Sequence, residues 1–164
     1  MRALYLGTRQ WSEIHKKEII LFFLFFFAYG YFFHGGGNNQ NATYDQIRSI
    51  VEYGELSINS FAYNTHDVSI HKGHIFPNKA PGLTFLGVPL GFVLFQLKKL
   101  FLFFMKEDTY FLLVCHLISW FTVGFISASL CVGLFKFICC LTQCATTAFI
   151  GTMGYAFGTT AFAY

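Results

Sequence analysis

Residues 67–82 read Asp67-Val68-Ser69-Ile70-His71-Lys72-Gly73-His74-Ile75-Phe76-Pro77-Asn78-Lys79-Ala80-Pro81-Gly82. This polar stretch runs straight into an apolar segment that begins at Leu83. Upstream of it lies another apolar segment, Ile19–Phe33. A polar loop held between two apolar spans predicts a membrane protein that works at the lipid boundary. Within the stretch, Gly73 predicts a tight turn between two short strand-like pieces, Val68–His71 and His74–Phe76. Pro77, Pro81 and Pro89 punctuate the approach to the next span.

The composition points the same way. The chain of 164 residues is 55% hydrophobic and 12% charged. Soluble domains carry about 25% charged residues, so this chain has about half the charge of a soluble surface. Lipid is the natural solvent for most of it. A net charge of +3 makes no case for a nucleic-acid partner. Cys115, Cys131, Cys139, Cys140 and Cys144 all lie in or beside apolar segments and read as small apolar side chains; Cys139-Cys140 with Cys144 could suggest a metal, but no His or acidic residue accompanies those three.

The expected fold class is all-α and integral to the membrane, with about four transmembrane helices. Residues 1–17 form a short basic segment on the cytoplasmic side, with Tyr5 and Trp11 suited to the interface. Residues 18–33 form the first helix, an uncleaved span that the Gly35–Gly37 run ends. Residues 34–82 form a long outer loop. In it Asn38–Asn41 reads as irregular, and Tyr44–Tyr53 as a short amphipathic surface helix with Ile47, Ile50 and Val51 at helical spacing. Gly54 is its natural stop, and Leu56–Tyr63 reads as extended. Such a helix lies flat on the membrane with its apolar side down. Residues 83–164 hold three further spans: Leu83–Leu97, continuing to about Met105; Tyr110–Phe135; and Ala145–Tyr164. The apolar end of the chain is expected to continue in a longer protein.

Basic residues set the orientation. Arg2, Arg9, Lys16 and Lys17 precede the first span, and Lys98, Lys99 and Lys106 follow the second. Placing both groups inside puts residues 34–82 outside, which predicts an extracytoplasmic loop in a plasma (inner) membrane. The sequon Asn41-Ala42-Thr43 lies in that loop.

The loop carries the candidate chemistry. His66, Asp67, His71 and His74 could be read as a zinc set, but their spacing matches no zinc pattern. A divalent metal is therefore not supported, and no cofactor is firmly predicted. Lys79 has two readings. It could snorkel to headgroups, or it could meet a lipid-linked phosphate as a compact cation with three donors. Pro77 and Pro81 restrict the backbone around it, which would fix the ammonium in place.

The run Tyr44–Ile58, followed by His66-Asp67 and by Gly73–Gly82, resembles the first outer loop of the GT-C superfamily of membrane glycosyltransferases. That superfamily includes the protein O-mannosyltransferases, the lipid A aminoarabinose transferases and the RgtA/B/C/D-like proteins. The resemblance covers about residues 18–97: one span, a loop whose surface helix ends at a Gly, an element from Gly73 to Pro81 that holds the Lys before a Pro, and a second span.

The resemblance implies an inverting transfer of a sugar from a polyprenyl-phosphate donor to a lipid or glycan acceptor outside the cytoplasm. A carboxylate acts on the acceptor, and cations stabilise the departing phosphate. It assigns Lys79 to the lipid phosphate, with Arg48 as a second candidate. It assigns Asp67 as the catalytic carboxylate, with Asp45 as the alternative. The rival expectation is a non-enzymatic multi-span membrane protein that binds a lipid or partner through the outer loop.

Overall fold

The computed structural model describes residues 2–32 and 37–158, with side chains described from Lys16 onward except Lys99. The expected ends of the first and last spans, at Gly35–Gly36 and Tyr164, lie outside the described residues. The side chains of Arg2, Tyr5, Arg9 and Trp11 do too. The protein is mostly helical. Its elements are α1 (Arg2–Tyr31), α2 (Asn38–Tyr53), a 3₁₀ turn (Asn59–Asn64), β1 (Val68–His71), β2 (His74–Pro77), α3 (Gly82–Gln96), α4 (Lys98–Phe101), α5 (Glu107–Ser119), α6 (Phe125–Thr142) and α7 (Ala145–Gly158).

Two compact units divide the chain, one of residues 1–33 with 123–164 and one of residues 34–122. In the first, α1, α6 and α7 pack through rings and small residues. Phe25, Ala128, Cys131, Ala148 and Ala156 are fully buried. Phe22 meets Phe125 edge-on at 5.4 Å between centroids. The Tyr29 hydroxyl donates to the Ala156 carbonyl at 3.2 Å, and Lys136 pairs with Glu18 at 3.2 Å. Helix α1 begins at Arg2, so the basic segment expected to precede the span is part of the same helix.

Helices α5 and α6 join through a π turn at Trp120–Gly124. Helical structure thus runs without a break over Glu107–Thr142, 36 residues. Among the described residues it is the one helix long and apolar enough to cross a membrane. Helix α3 is apolar but has 15 residues, and it does not continue to Met105. The chain breaks at Leu97 and forms only the short α4 before α5.

In the second unit α2 is the centre. It starts at Asn38, so the Asn-rich run expected to be irregular is its first turn. It ends at Gly54, whose φ of 71° supplies the left-handed cap. Its apolar side is covered by protein instead of lipid. Ile47 is fully buried and sits where a Cβ on Gly87 or Gly91 of α3 would stand, 2.5 and 2.6 Å from its methyl carbons. The glycines are what let the two helices approach.

Polar ties complete this packing. The Thr84 hydroxyl donates to Gln46 Oε1 at 2.8 Å in a buried site, and Gln46 Nε2 donates to the Leu56 carbonyl at 3.1 Å. Gln46 thus fastens α2 to α3 and to the following loop. Thr84→Val leaves a buried acceptor unpaired and should destabilise the unit by about 1–3 kcal/mol. Thr84→Ser should stay close to wild type. Thermal unfolding in detergent separates the two, and equal midpoints would discount the bond.

The hairpin forms as expected. Strands β1 and β2 pair antiparallel in the register Val68↔Pro77 to His71↔His74. Lys72 and Gly73, at φ of 49° and 80°, make the two-residue turn. The segment expected to be extended instead curls into the 3₁₀ turn Asn59–Asn64. Asn59 there holds the hairpin: Ile75 N–H donates to Asn59 Oδ1 at 2.8 Å, and Ile58 N–H donates to the Ile75 carbonyl at 2.8 Å.

Candidate functional site

The hairpin register builds the site. With Val68 opposite Pro77, the next pair outward is Asp67 and Asn78, and Asn78 N–H donates to the Asp67 carbonyl at 3.1 Å. One residue further, Lys79 Nζ lies 3.3 Å from Asp67 Oδ2. That contact is an ion pair without the directionality of a hydrogen bond, since Asp67 Oδ2 has no hydrogen-bond partner among the described residues. The lysine side chain is 47% exposed and the aspartate 16%. The two residues expected to act on phosphate and acceptor are therefore in contact, at the base of the hairpin and immediately before α3.

A strap of residues 64–67 carries Asp67 and is tied to the first turns of α2. The Thr65 hydroxyl donates to the Asn38 carbonyl at 2.7 Å. Asn41 Nδ2 donates to the Asn64 carbonyl at 2.9 Å. Asp67 N–H donates to the Thr65 hydroxyl at 3.1 Å. These residues explain why the Asn-rich run is helical: it is held from outside. They also engage the sequon, whose Asn41 amide is committed to Asn64. Neither Asn64 nor Thr65 stands out in the sequence, because no charge or periodicity marks them.

Asp45 lies under the strap and is fully buried. Its Oδ1 accepts from Asn64 Nδ2 at 3.1 Å. Its Oδ2 is buried without a hydrogen-bond partner among the described residues. Burial pushes its carboxyl up to about 6, against the opposing pull of the Asn64 hydrogen bond and the Arg48 charge. Arg48 does not join the Asp67–Lys79 pair. Its Nε contacts Glu52 at 3.0 Å, and its guanidinium lies 4.4 Å over the Phe61 ring.

His66 lies in the strap, its N–H donating to Asn38 Oδ1 at 3.4 Å, while His71 and His74 lie at the far end of the hairpin. His71 and His74 face each other across the turn, and His74 Nδ1 contacts Asn59 Nδ2 at 3.1 Å. Among the described residues no three His, Cys, Asp or Glu side chains come together to hold a metal ion.

Comparison of the chain with protein-family models, with curated proteins and with solved structures finds no match.

Proposed function

We propose that this chain is part of an integral-membrane, inverting glycosyltransferase that takes a sugar from a polyprenyl-phosphate donor. Four spans, with residues 34–82 on the extracytoplasmic side of the plasma membrane, complete that reading. The observation that carries it is the 3.3 Å ion pair between a half-exposed Lys79 and a mostly covered Asp67, beside the start of an apolar helix. A lysine placed there meets a phosphate whose prenyl tail lies in the bilayer.

The contact constrains the mechanism. In an inverting displacement the base and the departing phosphate lie on opposite faces of the anomeric carbon. Asp67 and Lys79 cannot serve those two faces while touching. The pair is therefore the resting state. Donor phosphate displaces the carboxylate from Lys79, whose three donors then meet the phosphate oxygens. The freed Asp67 takes the proton of the acceptor hydroxyl. The acceptor oxygen bonds to the anomeric carbon as the bond to phosphate breaks, and the electron pair leaves with the lipid phosphate.

The test uses undecaprenyl phosphate as the probe and undecaprenol as its phosphate-free control, with the full chain in detergent. Lys79→Ala should weaken binding of the phosphate at least ten-fold, on the order of a lost charge-assisted contact of about 1.5–3 kcal/mol. Binding of undecaprenol should not change. Equal phosphate binding by Lys79→Ala and wild type would sink the assignment. A second reading, a non-enzymatic membrane protein that binds a lipid or partner through this loop, draws on Tyr63 and Ile70, 79% and 73% exposed on its surface. That reading expects binding without transfer.

A further inference from the structure

Asp45 is a buried carboxylate that the proposed transfer does not use. With the strap closed it is fully buried. Its place is nevertheless specific. Asn64, its one hydrogen-bond donor among the described residues, opens the strap that ends at Asp67. The same strap is otherwise held by Thr65 on Asn38 and by Asn41 on the Asn64 carbonyl. The second carboxyl oxygen has no hydrogen-bond partner among the described residues.

We propose that Asp45 is a positioning residue whose protonation closes the 64–67 strap on α2, and so sets Asp67 against Lys79. The proposal rests on the reading above only in taking that pair as the site.

A carboxylate offers about four acceptor positions, and this one meets a single side-chain donor. Leaving the ionised form buried is costly. Lifting the strap lets water reach the orphaned oxygen. The neutral acid needs far less solvation and tolerates the closed strap. A carboxyl raised on closure favours the closed form while protonated, so closure is full in acid and weakens as pH rises through the raised value.

The neighbouring groups are few. On α2 itself, Arg48 favours the carboxylate. On α5, Cys115 interacts electrostatically with Asp45. Helix α3 contains no titratable residue. The 3₁₀ turn contributes only Tyr63, which is exposed. The strap adds His66, which is exposed, and Asp67, which is held by Lys79.

The experiment is amide hydrogen exchange on the full chain in detergent between pH 5 and 8, with wild type compared to Asp45→Asn at each pH. The ratio cancels the intrinsic pH dependence of exchange. Protection of the amides of residues 65–67 in wild type should fall at least about ten-fold relative to the variant, with a midpoint near 6, since one unit of displaced pKa is a tenfold change. Parallel profiles would overturn the proposal. So would an equal loss of protection throughout α2 and α3, which would mean global loosening. If Asp45→Asn does not fold, Asn64→Ala carries the test. It removes the donor that favours the carboxylate, so the midpoint must rise, and an unmoved midpoint overturns the proposal. No sugar donor enters the measurement, so its outcome is independent of whether the chain transfers sugar.

Discussion

Asp67→Asn should bind undecaprenyl phosphate more tightly than wild type and transfer sugar far more slowly. The two effects have one cause. Wild-type Lys79 spends its resting state against a carboxylate that phosphate must displace. The lysine side chain is 47% exposed, so solvent screens the pair and its worth is at most about 1 kcal/mol. Removing the carboxylate's charge should therefore improve phosphate binding up to about five-fold. The same change removes the proton acceptor, which general-base catalysis values at about 10²–10⁴ in rate. Binding is read with the phosphate probe, and transfer with the sugar-loaded lipid in membranes containing the whole enzyme. Tighter binding with unchanged transfer would leave Lys79 its role and remove Asp67 as base. Weaker binding would show instead that Asp67 is needed to hold the lysine in place.

The second large effect is steric. Gly91→Leu should prevent the 34–122 unit from folding, and Gly91→Ala should already lower its stability. A Cβ at Gly91 would lie 2.6 Å from Ile47 Cγ2, closer than any ordinary carbon contact. That methyl is attached at the branched Cβ of a stiff side chain, so it moves only if χ1 leaves its preferred well. At Gly87 the clash is with the terminal Cδ1 at 2.5 Å, which swings away more easily. Alanine gains up to about 1 kcal/mol of helix propensity over glycine, while overpacking costs about 1–3 kcal/mol. Gly91→Ala should therefore lose stability on balance. Trimming the opposing side chain with Ile47→Ala should recover part of the loss. A double-mutant cycle on thermal unfolding measures this coupling. Additive losses from the two substitutions would show that the helices do not meet there.

Local backbone chemistry was legible in the sequence, and long-range ties were not. The hairpin follows from Gly73 between two short strand-like pieces, and the end of α2 follows from Gly54. Both need only a residue that accepts positive φ, and both have it, at 80° and 71°. The low share of charged residues also shows in composition, and the helix Glu107–Thr142 is long and apolar enough to cross a membrane. The helical start at Asn38 could not be read this way. Asparagine is a weak helix former, and the turn is held by Thr65 and Asn64 from more than twenty residues away. The covering of Ile47 was hidden for a similar reason: amphipathic spacing names an apolar side without naming what covers it. Asp67 and Lys79 were each conspicuous, but their contact depends on register. Pairing across a turn at Lys72-Gly73 sets residue 67 opposite 78, and that arithmetic was available from the sequence.

A second count, outward from the turn glycine, gives the hairpin a use as a ruler, since Lys79 lies one residue beyond the register partner of Asp67. Asp67 stands six positions before Gly73 and Lys79 six positions after it (73 − 67 and 79 − 73). Adding one residue to each strand would lengthen the ruler and keep the charges matched. Adding one residue to a single strand would slide the two edges past each other and turn the affected side chains to the opposite face. Length changes in this loop are therefore tolerable only in balanced pairs, or in a bulge that absorbs the odd residue. A search for comparable loops in other chains can accordingly ignore overall similarity and look for an acid and a lysine at equal reach from a turn glycine, with a proline closing the lysine side ahead of an apolar helix.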